Sequence, residues 1–377
     1  VERRGKLIAS DAFACRNNGA GPSSVKLFNC ENCGQILLFE NTNCEKCGHR
    51  LGYVADQALL TALEPDGETN WRTMARPSRG VRLCDNARHD ACNWLLDLDD
   101  PFTLCRACRH NHTIPDLSVP ENLRRWQSVE MAKRRLFYTL IRFNLPLHTR
   151  AEDPAHGLVF DFLADVPNSP TKVLTGHDEG LITVALAEAD TAEREQRRTR
   201  MGEPYRTLLG HMRHEVGHHY WDVLVRDGGK LEACRAVFGD ESRDYNEALK
   251  THYANGAPPN WQEGYISAYA TSHPWEDFAE TWAHYLHIVD TLETGSAFGL
   301  RIHPMTDRTG QLDADLDFDP HDTVDVQQLV DAWVPLTFSV NTLNRSMGQP
   351  DLYPFVLTPP VVAKLRFIRD LIHGAVA

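Results

Sequence analysis

Residues 203–221 read Glu203-Pro204-Tyr205-Arg206-Thr207-Leu208-Leu209-Gly210-His211-Met212-Arg213-His214-Glu215-Val216-Gly217-His218-His219-Tyr220-Trp221. Tyr205, Leu208, Leu209, Met212, Val216, Tyr220 and Val223 recur at three- and four-residue spacing, which predicts a helix with one buried stripe and Pro204 in its first turn. At about 100° per residue, His214 and His218 fall nearly opposite the centre of that stripe, beside His211 and Trp221. Two imidazoles four residues apart on one face can meet one ion, and Glu215, one step round the cylinder, can reach a water on it. The chain has 18 histidines, so this spacing also arises by chance, and the reading needs a further donor.

That donor is offered by His273-Pro274-Trp275-Glu276-Asp277-Phe278-Ala279-Glu280-Thr281-Trp282, where Glu276 and Glu280 stand one helical turn apart. Alone, such a pair is a solvated helix face. After a helix that presents two histidines, Glu276 becomes the third metal ligand, and Glu280 the acid that takes a ligand imidazole's free N–H and fixes its tautomer. Asp222, one turn beyond His218, reads either as a second supporting acid or as an exposed side chain. His211, His219, His284 and His287 are read as satisfied structural histidines.

His214, Glu215, His218, Glu276 and Glu280 together resemble the gluzincin metallopeptidases, in which HExxH is followed by a helix carrying a Glu ligand and a second acid four residues later. The ligand helix is most similar to that of proteins related to anthrax lethal factor, which have a tyrosine seven residues upstream of the ligand; here that position is Tyr269. The resemblance implies that Tyr269 donates to the oxyanion or protonates the leaving amine. The residues themselves equally allow an aromatic in a strand Ile266–Ala270. Through Glu203–Trp221, Phe238–Tyr245 and His273–Leu286, the whole chain resembles a bacterial family of zinc-binding metallopeptidases with an N-terminal zinc ribbon.

Eight of the ten cysteines lie between residues 30 and 108, which points to metal rather than disulfides. Cys30 and Cys33, then Cys44 and Cys47, form two CxxC pairs, each followed by a glycine (Gly34, Gly48) that permits a tight knuckle turn, and they predict a structural zinc. Cys84, Cys92, Cys105 and Cys108 are read as a second structural zinc site; His89, His110 and His112 are alternative ligands but read better as surface loop histidines. Cys15 and Cys234 are left unpaired. One catalytic and two structural zinc ions are therefore expected.

Around these motifs the expected fold class is α+β: a mainly helical, gluzincin-like domain with a small sheet, preceded by a loop-rich β zinc-ribbon domain. Residues 1–25 read as an irregular segment, 26–118 as the zinc-ribbon domain with both cysteine clusters, and 119–377 as the peptidase-like domain. Its first element, 119–145, is an amphipathic bracing helix with Leu123, Trp126, Met131, Leu136, Leu140 and Phe143 on one face. Strands at Leu158–Leu163 and Leu181–Leu186, a charged helix from Glu188 to Arg200 and a last helix Pro359–Ile372 are expected as well. The Leu181–Leu186 strand is either a sheet edge that pairs with an extended peptide or an interior strand.

With 39 basic and 52 acidic residues, the net charge of -13 disfavours a nucleic-acid partner. Neither ribbon segment is a basic patch: Lys26–Val54 carries three acids and three bases, and Arg82–Thr113 five acids and four bases. No apolar run approaches the length of a membrane span and no leader is evident, so a cytoplasmic protein with no membrane contact is expected. The expected activity is zinc-dependent peptide hydrolysis with Glu215 as general base, on a peptide or protein substrate, with the ribbon open to a protein partner. The competing readings are a noncatalytic zinc-stabilised scaffold and a zinc amidohydrolase acting on a nonprotein amide.

Overall fold

Cys30 and Cys33 lie in the turn between β1 (Leu27–Asn29) and β2 (Ile36–Leu38), an antiparallel pair. Gly34 (φ 72°) and Gly48 (φ 77°) adopt the left-handed conformation a knuckle requires, and their N–H groups donate at 2.8 Å to the carbonyls of Cys30 and Cys44. The computed structural model describes residues 27–166, 172–191, 193–194, 207–323 and 325–376. The segment 1–25 with Cys15, the pair Pro204 and Tyr205, and most of the charged stretch Glu188–Arg200 lie outside these residues. What is described of that stretch includes a 3-10 turn, Leu186–Ala189.

After the first knuckles come β3 (Arg50–Val54), β4 (Leu59–Pro65), β5 (Trp71–Thr73), β6 (Gly80–Leu83) and β7 (Leu95–Asp97), an antiparallel five-stranded meander in that order. A loop-rich β domain was the expectation, and the region is β-rich; the meander itself was not foreseen, because strands of three to seven residues are too short to show a period of two in the sequence. Cys84, Cys92, Cys105 and Cys108 gather around β7, all buried. β8 (Asn111–Thr113) then leaves this region and pairs in parallel with β9 (Val159–Leu163).

The second sheet has the order β10-β11-β9-β8, with β11 (Leu181–Ala185) parallel to β9 and β10 (Gly176–Asp178) antiparallel to β11. Leu181–Ala185 is thus an interior strand, and the edge role offered for it passes to β10. A crossover fixes β11 beside β9, and a tight turn through Glu179 (φ 45°) and Gly180 (φ 82°) folds β10 back onto its open side.

α1 (Pro120–Arg142) buries more than the one predicted face: Trp126, Val129, Leu136, Phe137 and Leu140, but also Glu130, Lys133, Arg134 and Thr139. Met131, expected on the apolar face, is 38% exposed. The helix lies between the cysteine-rich region and the later helices. Tyr138 packs 5.5 Å from Phe39, itself 4.8 Å from Tyr53, while on the other side Tyr138 donates to Glu293 at 2.6 Å and Thr139 to Asp290 at 2.8 Å.

α2 (Leu208–Tyr220) starts at Thr207, whose Oγ1 caps the Gly210 N–H at 2.9 Å, so it begins beyond Pro204. It runs into a π-helical turn, Trp221–Arg226. α3 (Leu231–Phe238) and α4 (Tyr245–Asn255) follow, and α5 (Pro274–Ala297), buried over most of its surface, forms the centre against which α2, α6 (Val326–Ser346) and α7 (Pro359–Ile372) pack. Between α5 and α6, β12 (Arg301–Ile302) and β13 (Ala314–Asp315) form a small ribbon. A Cβ at Gly217 would stand 3.0 Å from the Cα of Ala279, so glycine there is what lets α2 and α5 approach closely. One large apolar cluster runs from Phe28 to Leu371, and a small second one holds Val54, Leu63, Val81 and Leu95. No helix among the described residues is long and apolar enough to cross a membrane.

Candidate metal centre

The close crossing of α2 and α5 brings His214, His218 and Glu276 together. His214 Nε2 lies 3.2 Å from His218 Nε2, and Glu276 Oε2 lies 3.0 Å from the first and 3.4 Å from the second. Tetrahedral N and O ligands at zinc bond lengths stand about 3.3 Å from one another, so the three atoms have the spacing of one face of a zinc tetrahedron. Glu276 is 1% exposed, and its Oε2 has no hydrogen-bond partner among the described residues, a costly state for a buried carboxylate that a cation relieves. The donor set fits zinc.

Hydrogen bonds from behind orient His214 and Glu276, while His218 Nδ1 has no such partner among the described residues. His214 Nδ1 donates to Glu280 Oε1 at 2.7 Å, which leaves Nε2 as the free donor atom, and Ser267 Oγ donates to Glu280 Oε2 at 2.6 Å. Burial opposes ionisation of Glu280, but these bonds hold its carboxyl down at about 2. Burial would likewise lower His214, yet the Glu276 and Glu280 carboxylates beside it raise it well above its ordinary range. The His218 ring lies with its centroid 3.8 Å from that of Trp275. Glu276 turns its second oxygen, Oε1, away from the imidazoles to accept a 2.5 Å hydrogen bond from Tyr245.

Glu215 is 8% exposed and makes no hydrogen bond or ion pair with the described residues, so its carboxylate is available to a water beside the cluster. Tyr269 belongs to a 3-10 turn, Tyr269–Thr271, not to a strand, and its ring centroid is 6.0 Å from that of His214. Burial and the neighbouring Glu276 push its phenol well above the usual range. Asp222 is buried rather than exposed, but it pairs with Arg226 at 3.0 Å and comes within 3.9 Å of His177, not of a ligand imidazole; burial raises its carboxyl to about 6. The three roles that sequence reasoning did not find, Tyr245, Ser267 and Trp275, depend on contacts across the fold. Only Trp275 left a trace, as the residue beside Glu276.

Of the four helix histidines read as structural, three have partners: His211 meets Glu188 at 2.5 Å, His284 meets Tyr353 at 2.6 Å, and His287 contacts Arg213. His219 is buried beside Tyr220, but its Nδ1 has no hydrogen-bond partner among the described residues, so it is not satisfied as expected. His177, on β10, sits with its ring 6.1 Å from that of His218, so β10, the edge strand of the second sheet among the described residues, lies beside the cluster.

In the cysteine-rich region, Cys30–Cys47 and Cys33–Cys44 are 3.6 Å apart at sulfur and Cys92–Cys105 3.7 Å. These distances are far beyond a disulfide and close to the roughly 3.8 Å between thiolates on a tetrahedral zinc. Both sets of four bring their sulfurs together. His110 does not join the second set and is not a surface residue. It is 1% exposed, with Nδ1 donating to the Leu158 carbonyl at 2.7 Å. His112 is exposed and pairs with Asp161, and His89 rests on Trp126. Cys234 is buried on α3. Asp290, Glu293 and His321 also converge, but Arg213 pairs with Asp290 and Arg142 lies 3.6 Å from Glu293, so that group is a charge-compensated network joining α1, α2 and α5.

Residues 122–371 match the model of a family described as "Putative zinc-binding metallo-peptidase", and residues 27–119 match that of a zinc-ribbon domain. An uncharacterized protein of Mycobacterium bovis and uncharacterized proteins of two Mycobacterium tuberculosis strains are each 40% identical over 346 residues, which is 92% of this chain and 94% of theirs. No solved structure matches the chain. With more than half of its length inside that first match, and with α2 and α5 both within it, the chain belongs to this zinc-binding metallo-peptidase family.

Proposed function

We propose that the chain is a zinc-dependent peptidase of gluzincin type, with His214, His218 and Glu276 holding the catalytic ion and each four-cysteine set holding one structural zinc. The observation that carries the reading is the triangle of two Nε2 atoms and one carboxylate oxygen at 3.0–3.4 Å with an uncommitted Glu215 beside it. When bound there, zinc lowers the pKa of a coordinated water toward neutrality and polarises the carbonyl it meets. Glu215 takes the proton from the attacking water and delivers it to the leaving amine. Tyr269, held protonated by burial, donates to the oxyanion. Glu280 stays ionised and keeps the His214 tautomer fixed throughout. The edge strand β10 gives an extended peptide a backbone to pair with, which favours a peptide over a small nonprotein amide as substrate.

Glu215→Gln, assayed on a peptide library with zinc content measured in parallel, should keep its metal and lose at least about a hundredfold in hydrolysis. Wild-type activity in that variant would remove the general-base role. A wild type that cleaves nothing while holding its zinc would turn the reading to a scaffold.

A further inference from the structure

We propose that Tyr245 is the positioning residue that holds Glu276 to coordination through one oxygen and so keeps a corner of the metal site open to water; the inference rests on the metal site assigned above. A carboxylate ligand can bind an ion through one oxygen or both. Here the two oxygens of Glu276 face different groups. Oε2 points at both imidazoles, at 3.0 and 3.4 Å, and is otherwise unpartnered, whereas Oε1 accepts the Tyr245 hydroxyl at 2.5 Å. A short bond of this kind to an ionised acceptor is strong and directional, and rotating Oε1 toward the ion would break it. With Oε1 tied back, the two imidazoles and one carboxylate oxygen would supply three donors to a zinc ion, which would leave it room for solvent.

Tyr245 is itself fixed. It is the first residue of α4, whose capping residue Asp244 accepts the Glu247 N–H at 2.9 Å. Its ring meets those of His273 and Trp275 edge-on, at 5.3 and 5.7 Å. Its hydroxyl donates to Glu276 Oε1. Those ring neighbours flank the start of α5, the helix that carries Glu276, so one aromatic group fixes both partners of the bond.

The test compares the full-length wild type with Tyr245→Phe, which keeps the ring and its packing and removes only the hydroxyl. Mild chelation that leaves the cysteine-bound zinc in place empties the site, which is then titrated with zinc against a competing chelator and separately loaded with cobalt(II). Retention of the cysteine-bound zinc and an unchanged circular dichroism spectrum report that the variant is folded. Tyr245→Phe should bind zinc about 10–100-fold more weakly. Its cobalt absorption should also weaken, as the freed carboxylate binds through both oxygens and raises the coordination number. Wild-type affinity, or weaker binding with an unchanged cobalt spectrum, would overturn the positioning role. If the wild type holds no more zinc than a His214→Ala variant, the metal site itself is wrong, and that result is separable from the first.

Discussion

His110 is 1% exposed, with its ring 4.8 Å from that of Phe137 and Nδ1 donating to the Leu158 carbonyl. Burial lowers its pKa from 6.5 to about 4, and the same cause takes His284 to about 4 and His219 and His177 to about 3. Because the folded value lies below the unfolded one, the unfolded chain gains protons first on acidification. The stability held by a neutral His110 is therefore complete above pH 6.5 and is lost as pH falls toward 4, by up to about 3 kcal/mol. His110→Gln should accordingly show a shallower loss of unfolding free energy between pH 6.5 and 4 than the wild type, in urea titrations at a series of pH values. Equal slopes would mean that His110 is protonated in the fold. In the sequence His110 reads as one of three loop histidines beside a cysteine pair; its burial comes from packing under α1, which local spacing does not encode.

The helices that carry the candidate ligands, α1, α7 and the strands β9 and β11 were legible, whereas α3, α4, α6 and the three-residue strands were not. HExxH lies within one helix, so the facing of His214 and His218 follows from geometry local to five residues. Glu276 and Glu280 are legible by the same rule, although their meeting with α2 depends on Gly217 admitting Ala279. Tyr245 was not legible, because its bond to Glu276 joins two helices through a long intervening loop. The five-stranded meander was missed for shortness, and the edge position of β10 because a three-residue strand carries no pattern. α1 was read as singly amphipathic, but its polar residues are buried too. Lys133 and Glu130 are both 0% exposed and 3.0 Å apart, with Asn111 Nδ2 on Glu130 at 2.6 Å and Cys108 Sγ 3.8 Å away. Lys133→Met leaves Glu130 without its cation and should cost about 3–5 kcal/mol in urea unfolding, whereas the double change with Glu130→Leu should recover much of that loss. A single variant within about 1 kcal/mol of wild type would show the pair to be solvated after all.

At the scale of the whole chain, the cysteine-rich half and the helical half share one apolar cluster, one helix and, through β8, one sheet. Their two cysteine sets are placed differently within it. Cys33 and Cys47 are partly exposed, while Cys84, Cys92, Cys105 and Cys108 are all buried beneath α1, where desolvation drives the Cys105 thiol well up unless a cation is present. If each set holds a zinc as proposed, stepwise chelation should release the outer ion with helicity intact, and the inner ion only together with cooperative loss of the α-helical signal. Early loss of both in one step, or inner release without unfolding, would contradict this. Since the inner ion would bind the folded chain and not the open one, its burial makes folding itself a titration. Each tenfold fall in free zinc should lower the unfolding free energy by about 1.4 kcal/mol while that site stays near saturation. The abundance of the folded protein would then follow the zinc supply of the compartment that holds it.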